Sequence, residues 1–189
     1  IEGALVKEIP LVDGRHDLNE FYQAIDADTS VIWLCSPNNP TGSLINHDDL
    51  VGFLEKVPEN ILVVIDEAYF EYITDPGYLN TVNLVDQYKN VIVLRTFSKA
   101  YGLAAFRVGY GISSPEIITN LDTVRSPFNI TSTSLQLAEV ALEDDSFIAM
   151  CRKLNREQMV RIQEFAEGHN LHVFDSEANF LLMEVPMNA

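Results

Sequence analysis

Three short, purely apolar runs are separated along the chain by polar and amphipathic segments. They cover residues 31–35, 61–65 and 91–94. Short runs without a polar residue are typical of strands that are buried on both faces, as in a parallel sheet. Because helical patterns alternate with these runs, we predict an α/β domain with a mostly parallel sheet flanked by helices.

The rest of the pattern predicts further elements on both sides of these strands. Strands are predicted over residues 4–10 and 107–112, and helices over 17–27, 48–57, 115–123 and 132–143. A long helix over 145–169 ends near Gly168, and strands over 171–174 and 179–185 follow it. We therefore predict a large domain over 1–144, and over 145–189 an interdomain helix with the start of a smaller α+β domain. Both domains are expected to be incomplete.

Composition excludes several classes of function. The net charge of −16 and the pI near 4.4 argue against nucleic-acid binding, which requires a basic surface. Two distant cysteines indicate a reducing compartment, and no apolar run reaches transmembrane length. The four histidines show no metal-ligand spacing, so we predict no metal site. We expect a cytoplasmic enzyme with no membrane partner, and a chain that opens on Ile1 is expected to be part of a longer polypeptide.

Chemically distinctive segments follow each of the three apolar runs. Ligands of parallel α/β sheets bind beyond the carboxyl ends of the strands, where these segments lie. The first is SPNNPTG at residues 36–42, in which Pro40 restricts the backbone of Asn39. Taken alone, this segment is better explained as an ordinary turn, because Asn, Pro and Gly are common turn residues.

The second segment places Asp66 directly after an apolar strand, with Tyr69 three positions on. An aspartate in that position is expected to be buried, and a buried carboxylate needs a cationic partner. A helix cap or a supporting salt bridge is an equally good interpretation of this segment alone.

The third segment is RTFSKAYGLAAFRVGY, residues 95–110. It surrounds Lys99 with small and hydroxyl residues. Only the neutral form of an amine attacks a carbonyl, and an enclosed, partly apolar pocket favours that form. The segment is therefore what we expect around a lysine that reacts with a carbonyl group. Thr96 and Ser98 add hydroxyls, and Arg107 adds a planar group suited to phosphate. A surface lysine and arginine in a loop is the weaker alternative.

Together the three segments resemble the motifs of the fold-type I pyridoxal-phosphate (PLP) aminotransferases, in the same order and at similar spacing. The resemblance covers nearly the whole chain. It is closest to the histidinol-phosphate branch, through SPNNPTG, DEAYFEY, the segment around Lys99, SPFNITSTSLQ and SEANFLL.

The resemblance implies a role for each candidate residue. Lys99 would be the catalytic residue, covalently bound to PLP and then moving the proton at the substrate Cα. Asp66 would pair with the pyridine nitrogen, and Asn39 and Tyr69 would hydrogen-bond the ring hydroxyl oxygen. The phosphate would be held by Thr96, Ser98 and Arg107. Other groups of the family's site are expected to lie outside this chain: the phosphate-binding helix start, the ring-stacking aromatic residue and the arginine for the substrate carboxylate.

The resemblance also implies the reaction and its alternatives. The expected activity is transamination between L-histidinol phosphate and 2-oxoglutarate in histidine biosynthesis, by a homodimer with shared active sites. Lys99 and Asp66 would equally serve an aromatic aminotransferase, or an amino-acid decarboxylase or lyase. A PLP-binding regulatory module without catalysis, or an inert fragment, also remains open.

Overall fold

A four-stranded sheet lies at the centre of the protein, whose computed structural model describes residues 3–186. Its strands are β1 (Val31–Cys35), β2 (Leu62–Asp66), β3 (Val91–Thr96) and β4 (Gly109–Ser113), in the order β1-β2-β3-β4. The pairs β1–β2 and β2–β3 are parallel, and β4 runs antiparallel to β3. The predicted mostly parallel sheet is confirmed.

Five α-helices accompany the sheet in the described residues. They are α1 (Leu18–Gln23), α2 (His47–Leu54), α3 (Pro115–Val124), α4 (Ser132–Leu142) and α5 (Asp145–Gly168). Each helix begins where the side chain of the preceding residue accepts hydrogen bonds from first-turn amides, as Asn46 does for α2. The sequence predicted all five, although α1 and α2 are shorter than expected.

The main apolar core lies on one face of the sheet. There, alternate side chains of β1, β2 and β3 pack against α1 and α2. The other face of β1 is open in the described part of the chain, because Val31 is 52% and Trp33 54% exposed. The prediction that β1 is buried on both faces is therefore wrong here: β1 is an outer strand, and α1 and α2 cover one side of it.

The strand predicted over residues 4–10 is absent, and most of this segment is exposed. A strand is stable only when a neighbour pairs with its backbone groups. Within residues 3–186 no strand lies beside this segment, which explains why its alternating pattern was misleading.

The C-terminal part consists of the long helix α5 and a strand pair. β5 (His172–Val173) and β6 (Met183–Glu184) are antiparallel and much shorter than predicted. α5 packs against the 3₁₀ turn Phe70–Tyr72 and against β5. The domain boundary after residue 144 stays a prediction. No helix in the described range 3–186 is long and apolar enough to cross a membrane.

Candidate active site

The three predicted segments meet at one edge of the sheet, because β1, β2 and β3 are parallel and their carboxyl ends lie side by side. Backbone hydrogen bonds extend the sheet beyond those ends. The amide of Ser36 donates to the carbonyl of Asp66 at 3.0 Å, and the amide of Glu67 donates to the carbonyl of Leu94 at 2.9 Å. The positions of the candidate residues are therefore tied to the strands.

Asn39 and Tyr69 are brought together although 30 positions separate them. The Asn39 amide nitrogen Nδ2 donates to the Tyr69 hydroxyl at 3.0 Å. Tyr69 is 5% exposed, whereas Asn39 lies in a loop and is exposed to solvent. Buried hydrogen bonds hold that loop, including one from Asn38 Nδ2 to Thr41 Oγ1 at 2.9 Å. The pair offers a hydroxyl and an amide to one ligand atom.

Asp66 ends β2 and is half-buried. Its Oδ2 accepts a hydrogen bond from Trp33 Nε1 at 3.3 Å, and its Oδ1 accepts one from the Ala68 amide at 3.2 Å. The cationic partner expected for a buried carboxylate here belongs instead to the next residue. Glu67 is completely buried, and its Oε2 lies 2.9 Å from Arg95 Nε. Asp66 remains partly solvated, and its carboxylate is paired with no cation within residues 3–186.

Lys99 lies beyond β3 and is exposed. Its Nζ lies 5.2 Å from the centroid of the Tyr69 ring, which places the amine beside the Asn39–Tyr69 pair. The enclosed pocket that the sequence predicts around this lysine is not formed by residues 3–186, so that expectation is wrong for the part of the protein described.

Thr96, Ser98 and Arg107 form a second group of hydrogen-bonding side chains. Thr96 Oγ1 accepts from the Ser98 amide at 3.0 Å, and Arg107 Nη1 lies 3.5 Å from Ser98 Oγ. Arg107 has φ +49, in the left-handed region that non-glycine residues rarely adopt. Such backbone conformations are concentrated at functional sites. Arg107 Nη1 also donates to the Ala104 carbonyl at 2.9 Å, so the guanidinium is held close to the turn that carries Ser98. The group provides hydroxyls and a planar cation suited to phosphate.

Sequence reasoning missed the contacts beneath and beside these residues. Phe180 packs its ring edge-on against Tyr69, with centroids 5.0 Å apart, and the ion pair of Glu67 with Arg95 lies next to Asp66 and Thr96. A signal for the ion pair is present in the sequence: charges of opposite sign border two neighbouring apolar runs. Phe180 lies in the motif SEANFLL, but nothing in the sequence indicated that its ring contacts the distant Tyr69.

Among residues 3–186, no cluster of three or more histidine, cysteine, aspartate or glutamate side chains could hold a metal ion. The candidate site is therefore a lysine, a carboxylate, a paired tyrosine and asparagine, and a cluster of anion-binding groups.

Comparison with known proteins places this arrangement in a fold class. The crystal structure of histidinol-phosphate aminotransferase from Sinorhizobium meliloti in complex with pyridoxal-5'-phosphate matches with a TM-score of 0.88 at 31% identity, over 95% of this chain and 49% of that one. A decarboxylase from Sulfurospirillum multivorans matches with a TM-score of 0.79 at 26% identity, over 94% and 47%. The fold is that of the fold-type I transferases, as predicted.

The sequence itself identifies the family within that class. The family model for aminotransferase class I and II matches residues 1–189, and the chain belongs to this family. Histidinol-phosphate aminotransferase from Lysinibacillus sphaericus (strain C3-41) is 53% identical over 184 residues, which is 97% of this chain and 50% of that protein. The chain spans about half the length of the curated relatives it matches.

Proposed function

We propose that the chain carries the cofactor-holding part of a PLP-dependent aminotransferase. The reaction is transfer of an amino group between L-histidinol phosphate and 2-oxoglutarate, in histidine biosynthesis. The observation that carries the proposal is the convergence, at one sheet edge, of Lys99 beside the Asn39–Tyr69 pair with the Arg107–Ser98 contact. The names of the similar proteins support this particular amino donor.

The donor set of this edge fits PLP group by group. Arg107, Ser98 and Thr96 suit a phosphate dianion, and the partly solvated Asp66 carboxylate suits a protonated ring nitrogen. The hydroxyl of Tyr69 and the amide of Asn39, 3.0 Å apart, suit the ring hydroxyl oxygen. When bound, PLP supplies an electron sink for the charge that develops at the substrate Cα.

The residues of the chain supply binding and proton transfer. Lys99 Nζ would hold the cofactor and then act as the base that moves the proton between the substrate Cα and the cofactor's C4′ carbon. The Asp66 carboxylate keeps the proton on the ring nitrogen, because an adjacent negative charge favours the cationic form. Asn39 and Tyr69 orient the ring, and Arg107 anchors it at the phosphate. The whole protein acts as a homodimer whose active sites both subunits complete.

A decarboxylase is the second candidate, favoured by the fold match to the Sulfurospirillum multivorans protein. Lysine and aspartate in these positions serve both reactions, since both develop negative charge at the same carbon. The reactions differ in what leaves that carbon, so their products separate them: glutamate from 2-oxoglutarate in transamination, and carbon dioxide in decarboxylation.

The test uses the full-length protein with added PLP. A visible absorption band that borohydride fixes as a label on Lys99, found by peptide mapping, is the expected result. Lys99→Ala removes the label, whereas the matched control Lys89→Ala retains it. L-histidinol phosphate should then support glutamate formation from 2-oxoglutarate faster than aromatic amino acids do. A label elsewhere, or carbon dioxide release without glutamate, contradicts the proposal.

A further inference from the structure

A buried ion pair lies directly beneath the candidate site. Glu67 is completely buried, and its Oε2 accepts from Arg95 Nε at 2.9 Å. Arg95 is itself almost enclosed, with its guanidinium carbon 3.4 Å from the centroid of the Phe70 ring. Two opposite charges are thus held together away from water.

Further hydrogen bonds satisfy both members of this pair. Thr81 Oγ1 donates to Glu67 Oε1 at 2.5 Å, and the Tyr78 hydroxyl donates to the same oxygen. Arg95 Nη2 donates to Asn80 Oδ1 at 2.9 Å. One carboxylate therefore accepts hydrogen bonds from β3 and from the segment after β2, an arrangement that fixes its geometry closely.

The pair is adjacent in sequence to two candidate site residues. Glu67 follows Asp66, and Arg95 precedes Thr96. Since successive side chains of a strand point to opposite faces, the pair holds the ends of β2 and β3 from the side opposite Asp66 and Thr96. The Glu67 amide also donates to the Leu94 carbonyl at 2.9 Å. The pair thus joins, by side chains, the two strand ends that carry Asp66 and Thr96.

Stability alone is a poor reason for such an arrangement. A buried ion pair often stabilises a protein no more than packed apolar residues of the same volume, because both charges lose their hydration. Compared with an apolar pair, the charged pair and its several hydrogen bonds hold the neighbouring groups in a more closely fixed geometry. We propose that Glu67 and Arg95 are positioning residues, which hold Asp66 and the Thr96–Ser98 turn in the arrangement that receives the cofactor. This inference rests on the proposed function.

The test compares the pair with a structural contact at the opposite ends of the same strands. Asn90 is buried and donates from Nδ2 to the Ile61 carbonyl at 2.9 Å, where β2 and β3 begin. Asn90→Ala should loosen these strands without moving their carboxyl ends. Glu67→Gln removes one charge at constant shape, and Arg95→Lys keeps the charge but loses the planar fork.

Three quantities are measured on the full-length protein: the free energy of unfolding in urea, the Kd for PLP, and the visible circular dichroism per bound cofactor. Glu67→Gln and Arg95→Lys should raise the Kd about 10- to 100-fold, as expected when a group that orients a binding residue is lost, and should alter the dichroism. Asn90→Ala should lower the unfolding free energy and leave Kd and dichroism unchanged.

Two results overturn the inference. One is a wild-type Kd and dichroism in Glu67→Gln and Arg95→Lys, and the other is a change in Kd and dichroism in Asn90→Ala as large as in those variants. If a single variant does not fold, the double variant Glu67→Met, Arg95→Met removes both charges together, and the same changes in Kd and dichroism are expected of it. A wild-type protein that takes no label on Lys99 refutes the proposed function and this inference with it. Failure of the inference alone leaves that label intact.

Discussion

Glu71 is a second buried carboxylate near the ion pair, and it lacks a full set of partners. It is 3% exposed, and its Oε2 has no hydrogen-bond partner within residues 3–186. Burial raises the pKa of Glu71 from its ordinary value of 4.5 to about 7, against the opposing effect of Arg95 and Arg152. Arg95 already pairs with Glu67, so its charge only partly compensates Glu71.

This raised pKa predicts a pH-dependent loss of stability. The folded state binds the Glu71 proton more tightly than the unfolded state, so the carboxyl group stabilises the fold below pH 4.5. That contribution is lost as the pH rises to about 7, where the buried group ionises. Glu71→Gln should therefore raise the free energy of unfolding at pH 8 by about 1–3 kcal/mol relative to wild type.

The measurement is urea unfolding of both proteins from pH 5 to pH 8. Their difference should increase with pH, and the exposed control Glu59→Gln should show no such trend. A pH-independent difference would mean that Glu71 already ionises near its ordinary pKa in the folded protein.

At the scale of elements, the loop after β1 is joined to the C-terminal segment. Gly42 has φ +79, and the Glu177 amide donates to its carbonyl at 2.9 Å. A Cβ on Gly42 would lie 1.9 Å from Ser176 Oγ and 2.9 Å from the Ser176 backbone Cα. Glycine is required here for two separate reasons, the left-handed backbone and the close approach.

Gly42→Ala should therefore lower the free energy of unfolding more than backbone strain alone would. Gly102→Ala is the matched control, because Gly102 has φ +71 and a Cβ added there would have no atom within 4 Å. We expect about 1 kcal/mol for Gly102→Ala, and about 2–4 kcal/mol for Gly42→Ala, where overpacking adds to strain. If both variants lost the same free energy of unfolding in urea, the Ser176 segment would be able to move away from the added Cβ at no cost.

These elements also show what the sequence could predict. Local patterns identified the strands β1, β2 and β3 and the helices. Burial produces a periodic pattern of apolar residues, and capping residues mark helix ends. These patterns did not predict the contact of Gly42 with Ser176 or that of Tyr69 with Phe180, which join segments more than a hundred residues apart. Nothing local distinguishes Gly42 from an ordinary turn glycine.

At the scale of the whole molecule, burial depends on neighbours that a local pattern does not specify. The apolar run of β1 suggested a fully buried strand, yet Trp33 is open to solvent in the described chain. The candidate site follows the same rule. The structure brings Lys99, Asn39 and Tyr69 together, but residues 3–186 do not enclose Lys99 as the motif led us to expect.

The net charge and the open face together predict how Trp33 responds to ionic quenchers. Trp33 is the single tryptophan of a chain with a net charge of −16, and its Nε1 lies 3.3 Å from an Asp66 oxygen. In the isolated 189-residue chain, caesium should quench Trp33 fluorescence about twofold more effectively than iodide at low ionic strength. The reason is that the negative electrostatic potential of the chain attracts cations and repels anions.

Neutral acrylamide serves as the control for access, and 0.5 M salt should remove the difference between the two ions, since the screening length is then only about 4 Å. Equal quenching by caesium and iodide at low salt would contradict the predicted negative field around this face.

Helix α5 connects the turn after Tyr69 to the C-terminal strand pair. Near its start Arg152 Nε donates to the Glu71 carbonyl at 2.7 Å, and Glu71 lies in the turn that follows Tyr69. From Arg152 to Gly168 the helix extends about 24 Å, at 1.5 Å per residue. A tilt of about 5° at that fulcrum would carry the far end through about 2 Å. Any tilt of α5 would therefore displace the C-terminal strand pair, which contacts this helix, much more than the turn beside Tyr69.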